Sequence, residues 1–180
     1  MKTMAFDCET TGLVESRLKR TEFQPYVTQF VGWLVDLDTG EIEKSVETFV
    51  RPPNPGVMKP EAVKATGITW EKIKDCDDFA AHAPQIKSLI EEAPSVAAHN
   101  LVFDRDVLDV EARRAKTTFI WPKRQICTIE ITSHVTGYRL SLSELHRELF
   151  NCYFEGAHDA RHDVAALVKC LIEMRKRDWL

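Results

Sequence analysis

Long apolar runs and paired cysteine motifs are both missing from this sequence. None of the apolar runs in its 180 residues is long enough to span a bilayer, and the strand-like pattern near its start does not predict a signal peptide. The five cysteines are odd in number and scattered, without a CxxC pair. These absences argue against a membrane protein and a disulfide framework, and they predict a cytoplasmic protein with reduced thiols.

Positive charge is also scarce. The chain has 24 lysine and arginine residues against 28 aspartate and glutamate residues, which gives a net charge of −4. Proteins that bind long duplexes through phosphate contacts are usually basic. If the partner is nucleic acid, we therefore expect local contact with a strand end, with metal ions supplying positive charge. The length of 180 residues suits a single domain, residues 1–180.

The first third of the chain has the pattern of three strands. Residues 3–9, 27–37 and 42–50 are rich in apolar and β-branched residues, and their short separations predict an antiparallel meander. The proline-rich stretch 51–56 ends this region, because proline cannot lie in a central strand.

The remaining two thirds of the chain alternate helices with short strands. This order predicts an α/β fold, in which a three-strand antiparallel meander and two parallel strands form one mixed sheet flanked by helices. The predicted helices are 78–92, 102–115, 141–150 and 160–177, and the predicted strands are 95–99 and 124–129.

Two carboxylates end the first strand. Asp7 and Glu9 are two residues apart, so they share a face of the strand with Cα atoms roughly 7 Å apart, whereas Cys8 points to the opposite face and is interpreted as core. Neighbouring carboxylates repel unless a cation lies between them, and hard divalent cations favour oxygen ligands. Two acids at this spacing without further acids nearby more often mark a solvated strand end. The prediction of a metal site therefore depends on further acids at the same point.

Two more acids lie where helices are predicted to begin. Asp104 follows a buried strand in "AAHNLVFD", and Asp163 lies one turn into the last helix, with His158 just before it. Ligands of α/β sheets collect where strands end and helices begin, so these acids could meet the pair on the first strand. A single aspartate in a first turn is also a common cap. The competing acids nearby are Asp106, Asp109 and Asp159.

Three segments in this order resemble the motifs of a known family. The segments "FDCETTGL", "AHNLVFD" and "HDARHDV" are similar to the three exonuclease motifs of the DEDDh (DnaQ-like) 3′–5′ exonucleases. This group includes the proofreading epsilon subunit of bacterial DNA polymerase III, RNase T and oligoribonuclease. The resemblance covers residues 3–175, and 60–69 also looks like a family segment, with Thr66 where histidine is frequent. It implies a ribonuclease H-like fold and two divalent cations, Mg²⁺ or Mn²⁺.

The resemblance implies roles for five residues. Asp7, Glu9, Asp104 and Asp163 match the four acidic metal ligands of the family. His158 matches the general base, five residues before the last ligand. The other subgroup has a tyrosine four residues before that aspartate, where this chain has another acid, so the histidine subgroup fits. The implied catalytic set therefore consists of these five residues.

Two further groups of residues could contact the substrate. The resemblance implies that the loop after the first strand lines the terminal nucleotide, and residues before the second motif's aspartate could line the same pocket. For the second group there are structural alternatives: Asn100 as a helix cap, His99 as a satisfied buried histidine, and Phe103 as core packing. The candidate substrate-binding residues are Thr10, Thr11, Gly12, Leu13, His99, Asn100 and Phe103.

Several basic residues are weaker candidates for substrate contact. The pairs 113–114 and 123–124 could steer phosphates, although solvated helix ends or turns explain them equally well. The segment 14–25 is longer than a tight connection between two strands. Whether its basic side chains reach the substrate is open for Arg17, Lys19 and Arg20.

The other histidines are assigned no catalytic role. His162 is four residues after His158, a spacing that can bind zinc on a helix, but the glutamate of the HExxH motif is missing, so we do not expect zinc here. The histidines predicted at the surface are His82, His134 and His146.

The expected function is a 3′–5′ exonuclease that releases nucleoside 5′-monophosphates from single-stranded or frayed DNA, in repair or proofreading. An exoribonuclease that trims RNA or short oligonucleotides is the alternative, since the acids cannot distinguish the two. A non-catalytic accessory module that binds strand ends or a DNA polymerase is disfavoured, because all five catalytic residues are present. The expected partner is a single-stranded 3′ end, with a DNA polymerase as a further candidate, and no membrane. The sequence does not give the oligomeric state.

Overall fold

The structure is a computed structural model that describes residues 1–15 and 20–180. Arg17 and Lys19, two of the basic candidates, lie outside this part. The described residues form one five-stranded sheet in the order β3-β2-β1-β4-β5. The strands are β1 Lys2–Thr10, β2 Val27–Asp36, β3 Ile42–Phe49, β4 Ser95–Ala98 and β5 Arg124–Cys127.

Helices follow the meander and separate the later strands. They are α1 Pro60–Thr66, α2 Trp70–Ile73, α3 Phe79–Glu92, α4 Leu101–Arg114, α5 Thr128–Thr136, α6 Leu142–Phe150 and α7 Ala160–Lys176. Among the described residues, none of the helices combines the length and the apolar character that crossing a membrane requires.

The sheet is mixed, as the sequence predicts. β1 pairs antiparallel with β2, and β2 pairs antiparallel with β3, which confirms the meander. β4 lies parallel to β1 on its other side, and β5 lies parallel to β4. The carboxyl ends of β1, β4 and β5 therefore meet at one edge of the sheet.

The two faces of β1 have different neighbours. Met4, Phe6 and Cys8 belong to the core that includes residues of α3 and α4, which confirms the interpretation of Cys8 as core. Ala5 belongs to the core on the opposite face, against α7. Because side chains alternate along a strand, Asp7 and Glu9 continue the face of Ala5, where α7 packs. The meander thus directs both carboxylates towards the beginning of α7.

One predicted strand is too long. The strand predicted over 124–129 ends at Cys127, and Thr128 begins α5. Isoleucine and threonine are common in this segment and favour strands, but the hydroxyl group of Thr132 donates to the carbonyl group of Thr128 at 2.8 Å, one helical turn back. Thr128 and Thr132 are both fully buried, so tertiary packing overrides the local propensity here.

His146 is buried, so the prediction that it lies at the surface is wrong. Only 6% of the residue is exposed. The chain reverses after α6 with Asn151 in the left-handed region, which brings the carbonyl oxygen of Cys152 to 2.7 Å from Nδ1 of His146. The ring also packs against Phe150, with centroids 4.7 Å apart. This reversal, which the sequence pattern does not show, accounts for the burial.

Arg114 anchors the segment before β2. Its guanidinium group donates to the backbone carbonyl groups of Thr21, Gln24 and Pro25, and it forms an ion pair with the buried Glu111 at 3.1 Å. These contacts occupy Arg114, so of the basic pair 113–114 only Arg113 is exposed to solvent.

The other basic pair considered for phosphate steering, 123–124, lies at the beginning of β5. This end of the strand is remote from the carboxyl edge of the sheet.

Candidate active site

The four sequence-predicted acids converge at the carboxyl edge of the sheet. Asp104 lies in the first turn of α4 and Asp163 in the first turn of α7. The backbone N–H of Cys8, between Asp7 and Glu9, donates to Oδ1 of Asp104 at 3.1 Å. On the other side, one ligand atom each from Glu9, His158 and Asp163 lie within 4.8 Å of one another. Two helix starts and one strand end therefore form one acidic cluster.

Burial and mutual repulsion disfavour the charged forms of these acids. Burial raises the pKa of Asp7 and of Asp104 well above the usual range, and Asp104 itself adds to the shift of Asp7. Burial raises the pKa of Glu9 to about 7, with Asp163 adding to it. Burial also raises the pKa of Asp163 to about 6. Near neutral pH, the cluster holds its full negative charge only when a cation compensates it.

The donor set fits a hard divalent cation. In the part of the chain that the structure describes, no lysine or arginine forms an ion pair with any of the four acids; the neighbouring ion pairs are Lys59–Glu15 and Arg161–Glu47. Carboxylate oxygens gathered on a partly buried surface are the ligands that Mg²⁺ and Mn²⁺ favour. The chemistry and burial of the cluster therefore agree with a metal site.

This arrangement predicts an unusual pH dependence of stability in the metal-free protein. An acid whose pKa is raised on folding stabilises the fold at low pH, and this contribution is lost as pH rises through the folded pKa. For Asp163 and Glu9 the stabilising contribution is lost as the pH rises through their folded pKa values of about 6 and about 7. In EDTA, the melting temperature should therefore fall by several degrees between pH 6 and pH 8, and Mn²⁺ should raise it more at pH 8. Thermal unfolding measures both. Glu9→Gln should weaken the dependence; a melting temperature that rises with pH in EDTA would contradict the prediction.

His158 lies beside the acids in an uncommon backbone conformation. Its φ is 70°, in the left-handed region that few residues other than glycine adopt. Its backbone N–H donates to Oδ2 of Asp163 at 3.0 Å, and Asp159 follows as the N-cap of α7. The residue itself is exposed. The turn before α7 thus presents the imidazole to solvent next to Glu9 and Asp163.

His162 lies against the turn rather than in the cluster. A Cβ atom on Gly156 would lie 2.5 Å from Nδ1 of His162, so glycine is required for this contact, and Gly156 also has a φ of 81°. Among the described residues, the group of potential metal ligands that includes His158 does not include His162. The structure gives no support for a zinc site made of the two histidines.

A cavity of about 720 Å³ adjoins the cluster. Glu9 and His158 lie at its wall together with Leu13, whose exposed fraction of 76% places it at the rim. The opposite wall is α1, with Ala62 and Thr66; sequence analysis did not predict this helix, although it singled out Thr66. Of the candidate substrate-binding residues, those that line the cavity are Thr10, Gly12, Leu13 and Phe103.

The loop after β1 is held tightly at the cavity. The N–H of Thr11 donates to the carbonyl group of Tyr26 at 2.8 Å, and the carbonyl group of Thr11 accepts from the N–H of Lys59 at 3.0 Å. The hydroxyl group of Thr10 donates to the carbonyl group of Gly12 at 2.6 Å. A Cβ atom on Gly12 would lie 2.8 Å from Cδ of Lys59, so glycine lets the lysine chain cover the loop. Thr11 therefore shapes the loop without lining the cavity.

The residues before Asp104 have separate roles. Nδ1 of His99 is 2.8 Å from Oγ1 of Thr128, its Nε2 is buried without a hydrogen-bond partner among the described residues, and burial lowers its pKa to about 4. Asn100 occupies the N-cap position of α4, as the capping alternative predicts, but its side chain makes no capping hydrogen bond; its φ of 75° turns the chain from β4 into α4. Phe103 packs partly against the core and also lines the cavity. Neither His99 nor Asn100 lines it.

Comparison with known proteins gives a family match. A family model described as RNase_T, exonuclease, matches residues 4–171. A comparison with curated proteins gives no match.

Several solved structures have the same fold. The nuclease domain of 3′hExo, a DEDDh family member bound to rAMP, has a TM-score of 0.72 at 16% identity, with 98% of this chain and 92% of that chain covered. Exonuclease X in complex with 5′ overhanging duplex DNA has a TM-score of 0.69 at 22% identity, covering 99% and 94%. E. coli exonuclease I in complex with a dT13 oligonucleotide has a TM-score of 0.80 at 19% identity, covering 98% and 41%.

Proposed function

The chain belongs to the RNase T exonuclease family, and we propose that it removes nucleoside 5′-monophosphates, one at a time, from the 3′ end of single-stranded or frayed DNA. Family membership makes it a metal-dependent 3′–5′ exonuclease and confirms the resemblance seen in the three motifs. We take residues 1–180 as one exonuclease domain that acts in the cytoplasm, in repair or proofreading.

One observation carries this proposal: the acids and histidine of three distant motifs meet beside a cavity. We assign Asp7, Glu9, Asp104 and Asp163 as the ligands of two Mg²⁺ or Mn²⁺ ions. Cations bound there would activate water and neutralise charge on the leaving oxygen. The distances between ligand atoms of Glu9, His158 and Asp163 support this assignment, as does the hydrogen bond that holds Asp104 at β1. Burial raises the pKa of Asp7, and Asp104, Glu9 and Asp163 all add to this shift.

His158 is proposed as the general base. Its side chain is exposed and lies within 4.8 Å of ligand atoms of Glu9 and Asp163, where it can take a proton from an attacking water. Histidine suits this role because its ordinary pKa lies close to neutral pH. The water oxygen bonds to phosphorus and the bond from phosphorus to the 3′ oxygen breaks. The 3′ oxygen takes up a proton from solvent, so the shortened strand leaves with a 3′ hydroxyl group.

The cavity is proposed to hold the terminal nucleoside. Leu13 and Phe103 offer apolar surface to a base, and Thr10 and Gly12 of the loop after β1 line the same cavity. The scissile phosphate is then proposed to bind at Glu9 and His158, which line the same cavity.

DNA is proposed ahead of RNA, with a DNA polymerase as a further candidate partner. Of the structures compared above, exonuclease X with duplex DNA shares 22% identity with this chain, and the 3′hExo domain with rAMP shares 16%. The second of these favours an exoribonuclease as the other candidate function. Degradation of 3′-labelled and 5′-labelled single-stranded DNA and RNA would establish activity, polarity and sugar preference together, and faster cleavage of RNA would overturn the DNA assignment.

A 3′-phosphate is expected to slow degradation by roughly 10-fold or more. Among the described residues, the cavity wall carries Glu9, Glu15 and Glu61 and one lysine, Lys59, so a dianionic group beside these acids is repelled. Matched oligonucleotides with 3′-hydroxyl and 3′-phosphate ends, assayed at equal concentration, measure the ratio. Equal rates, or cleavage of a circular strand, would instead indicate an endonuclease.

A further inference from the structure

Gln29 connects the strand pair that carries Glu9 to the helix that carries Asp163. It lies directly opposite Glu9 in the ladder between β1 and β2, and only 6% of the residue is exposed. Its Oε1 accepts from the backbone N–H of Ala160 at 3.3 Å, and its Nε2 donates to Oδ1 of Asp159 at 3.3 Å. Both polar ends of this buried side chain therefore contact the beginning of α7.

The contacted residues hold the turn that carries Asp163. Asp159 is the N-cap of α7, and its Oδ1 also accepts from the backbone N–H of Arg161 at 3.0 Å. The backbone carbonyl group of Asp159 accepts from the N–H of Asp163 at 3.0 Å. A displacement of Asp159 therefore moves Asp163. It also moves His158, because the backbone N–H of His158 donates a hydrogen bond to the carboxylate of Asp163.

Repulsion between the acids opposes the approach of α7 to the strands, and the contacts of Gln29 offset it. Glu9 on β1 and Asp163 on α7 repel each other across the gap between strand and helix. An amide can bridge this gap because its NH₂ group donates to the Asp159 carboxylate while its oxygen accepts from an N–H. It does so without adding negative charge to the cluster.

We infer that Gln29 is a positioning residue that sets the separation of Glu9 and Asp163, so that both carboxylates reach the same cation. This role rests on the metal-dependent function proposed above. Gln29 touches neither the cation nor the nucleotide in this account; it acts through Asp159 and Ala160. Groups that orient metal ligands in this way typically change metal affinity by about 10–100-fold when removed.

Mn²⁺ titration by calorimetry, without nucleic acid, tests the inference. Gln29→Met keeps the length of the side chain and removes both hydrogen bonds, so its affinity for Mn²⁺ should be about 10–100-fold weaker than that of the wild type. Thr28→Val is the matched control, because Oγ1 of Thr28 is buried without a hydrogen-bond partner among the described residues, and its affinity should stay unchanged. Circular dichroism confirms that each variant is folded at the temperature of titration. A folded Gln29→Met protein with wild-type affinity would overturn the inference, even if its melting temperature is lower.

A second pair of variants keeps the test decisive if Gln29→Met does not fold. Asp159→Asn and Asp159→Ala remove the same charge, but only asparagine keeps an oxygen that can accept from Gln29. The alanine variant should bind Mn²⁺ more weakly than the asparagine variant, because it loses the oxygen that accepts from Nε2 of Gln29. Equal affinities in the wild-type background would contradict the role of Gln29.

Enzyme kinetics separate positioning from substrate binding. For Gln29→Met, kcat at a fixed Mn²⁺ concentration should fall while KM for a single-stranded oligonucleotide changes little. If the wild type binds Mn²⁺ and cleaves neither DNA nor RNA, the proposed function fails and the positioning role stands. A wild type that does not bind Mn²⁺ would overturn both.

Discussion

Chelation of divalent cations with EDTA is expected to abolish hydrolysis, and Asp163→Asn should remove most of it even at saturating Mg²⁺. No side chain of the cluster can replace the charge of the cations at the leaving oxygen. Asp163 lies in the first turn of α7, with a ligand atom within 4.8 Å of ligand atoms of Glu9 and His158. Loss of its charge should lower both Mn²⁺ affinity and kcat, the latter by roughly 10³-fold, equivalent to about 4 kcal/mol in the barrier.

Asp159→Asn is the control for this variant. It removes a carboxylate four residues earlier on the same helix start, and asparagine serves as an N-cap as well as aspartate does. Its rate should stay within a few-fold of the wild-type rate. Both variants lose one negative charge near the start of α7, so a larger loss in Asp163→Asn reports the loss of a metal ligand. Full activity in metal-free buffer, or equal losses in the two variants, would be incompatible with Asp163 as a ligand.

His158→Ala should lower the rate by roughly 10²–10⁴-fold while leaving Mn²⁺ affinity close to that of the wild type. The reason is that the imidazole is assigned to proton transfer, whereas the contact of residue 158 with Asp163 comes from its backbone N–H and survives the substitution. Rates in single-turnover experiments and calorimetric Mn²⁺ titration measure the two effects separately.

The pH profile adds a second readout for the same residue. A protonated base cannot accept a proton, so an acid limb of the wild-type rate that arises from the general base should be lost in the alanine variant. The measurement requires saturating Mn²⁺, because the raised pKa of Glu9 otherwise makes metal binding itself depend on pH near neutrality. His162→Ala is the matched control and should retain both the rate and the acid limb. Near-normal turnover in His158→Ala would move the base to another group, with His162 the first to test.

The acidic cluster could be predicted from the sequence because each part obeys a local rule. Alternation along β1 puts Asp7 and Glu9 on one face, and the boundaries of β4 and α4 and of α7 put Asp104 and Asp163 in first turns. The resemblance to the exonuclease motifs then implies that all four acids are metal ligands of one site. Their convergence also depends on the order of the strands in the sheet, which places β1 beside β4 and which the spacing of the motifs alone does not give.

The parts that could not be predicted depend on contacts between distant segments. The wall of the cavity formed by α1 comes from a short helix without a strong apolar pattern, and the burial of His146 comes from a chain reversal after α6. The conformation of Asn100 is similar: the sequence predicts a cap but not its backbone conformation, and the chain turns from β4 into α4 within two residues, 99 and 100. Asparagine tolerates the left-handed conformation that this turn needs. Gln29 gave no signal at all, because a glutamine in a strand is common and its partners lie 130 residues away.

The anchoring of the segment before β2 makes that segment suitable for directed variation. Arg114 holds it through backbone carbonyl groups, and such bonds do not depend on which side chains the segment carries. Glu22 and Phe23 are exposed and lie near Leu13, at a smaller cavity of about 210 Å³ beside the loop after β1. A combinatorial library at positions 22 and 23 could therefore be screened for altered strand preference while the path of the backbone and the placement of Asp104 on α4 are retained.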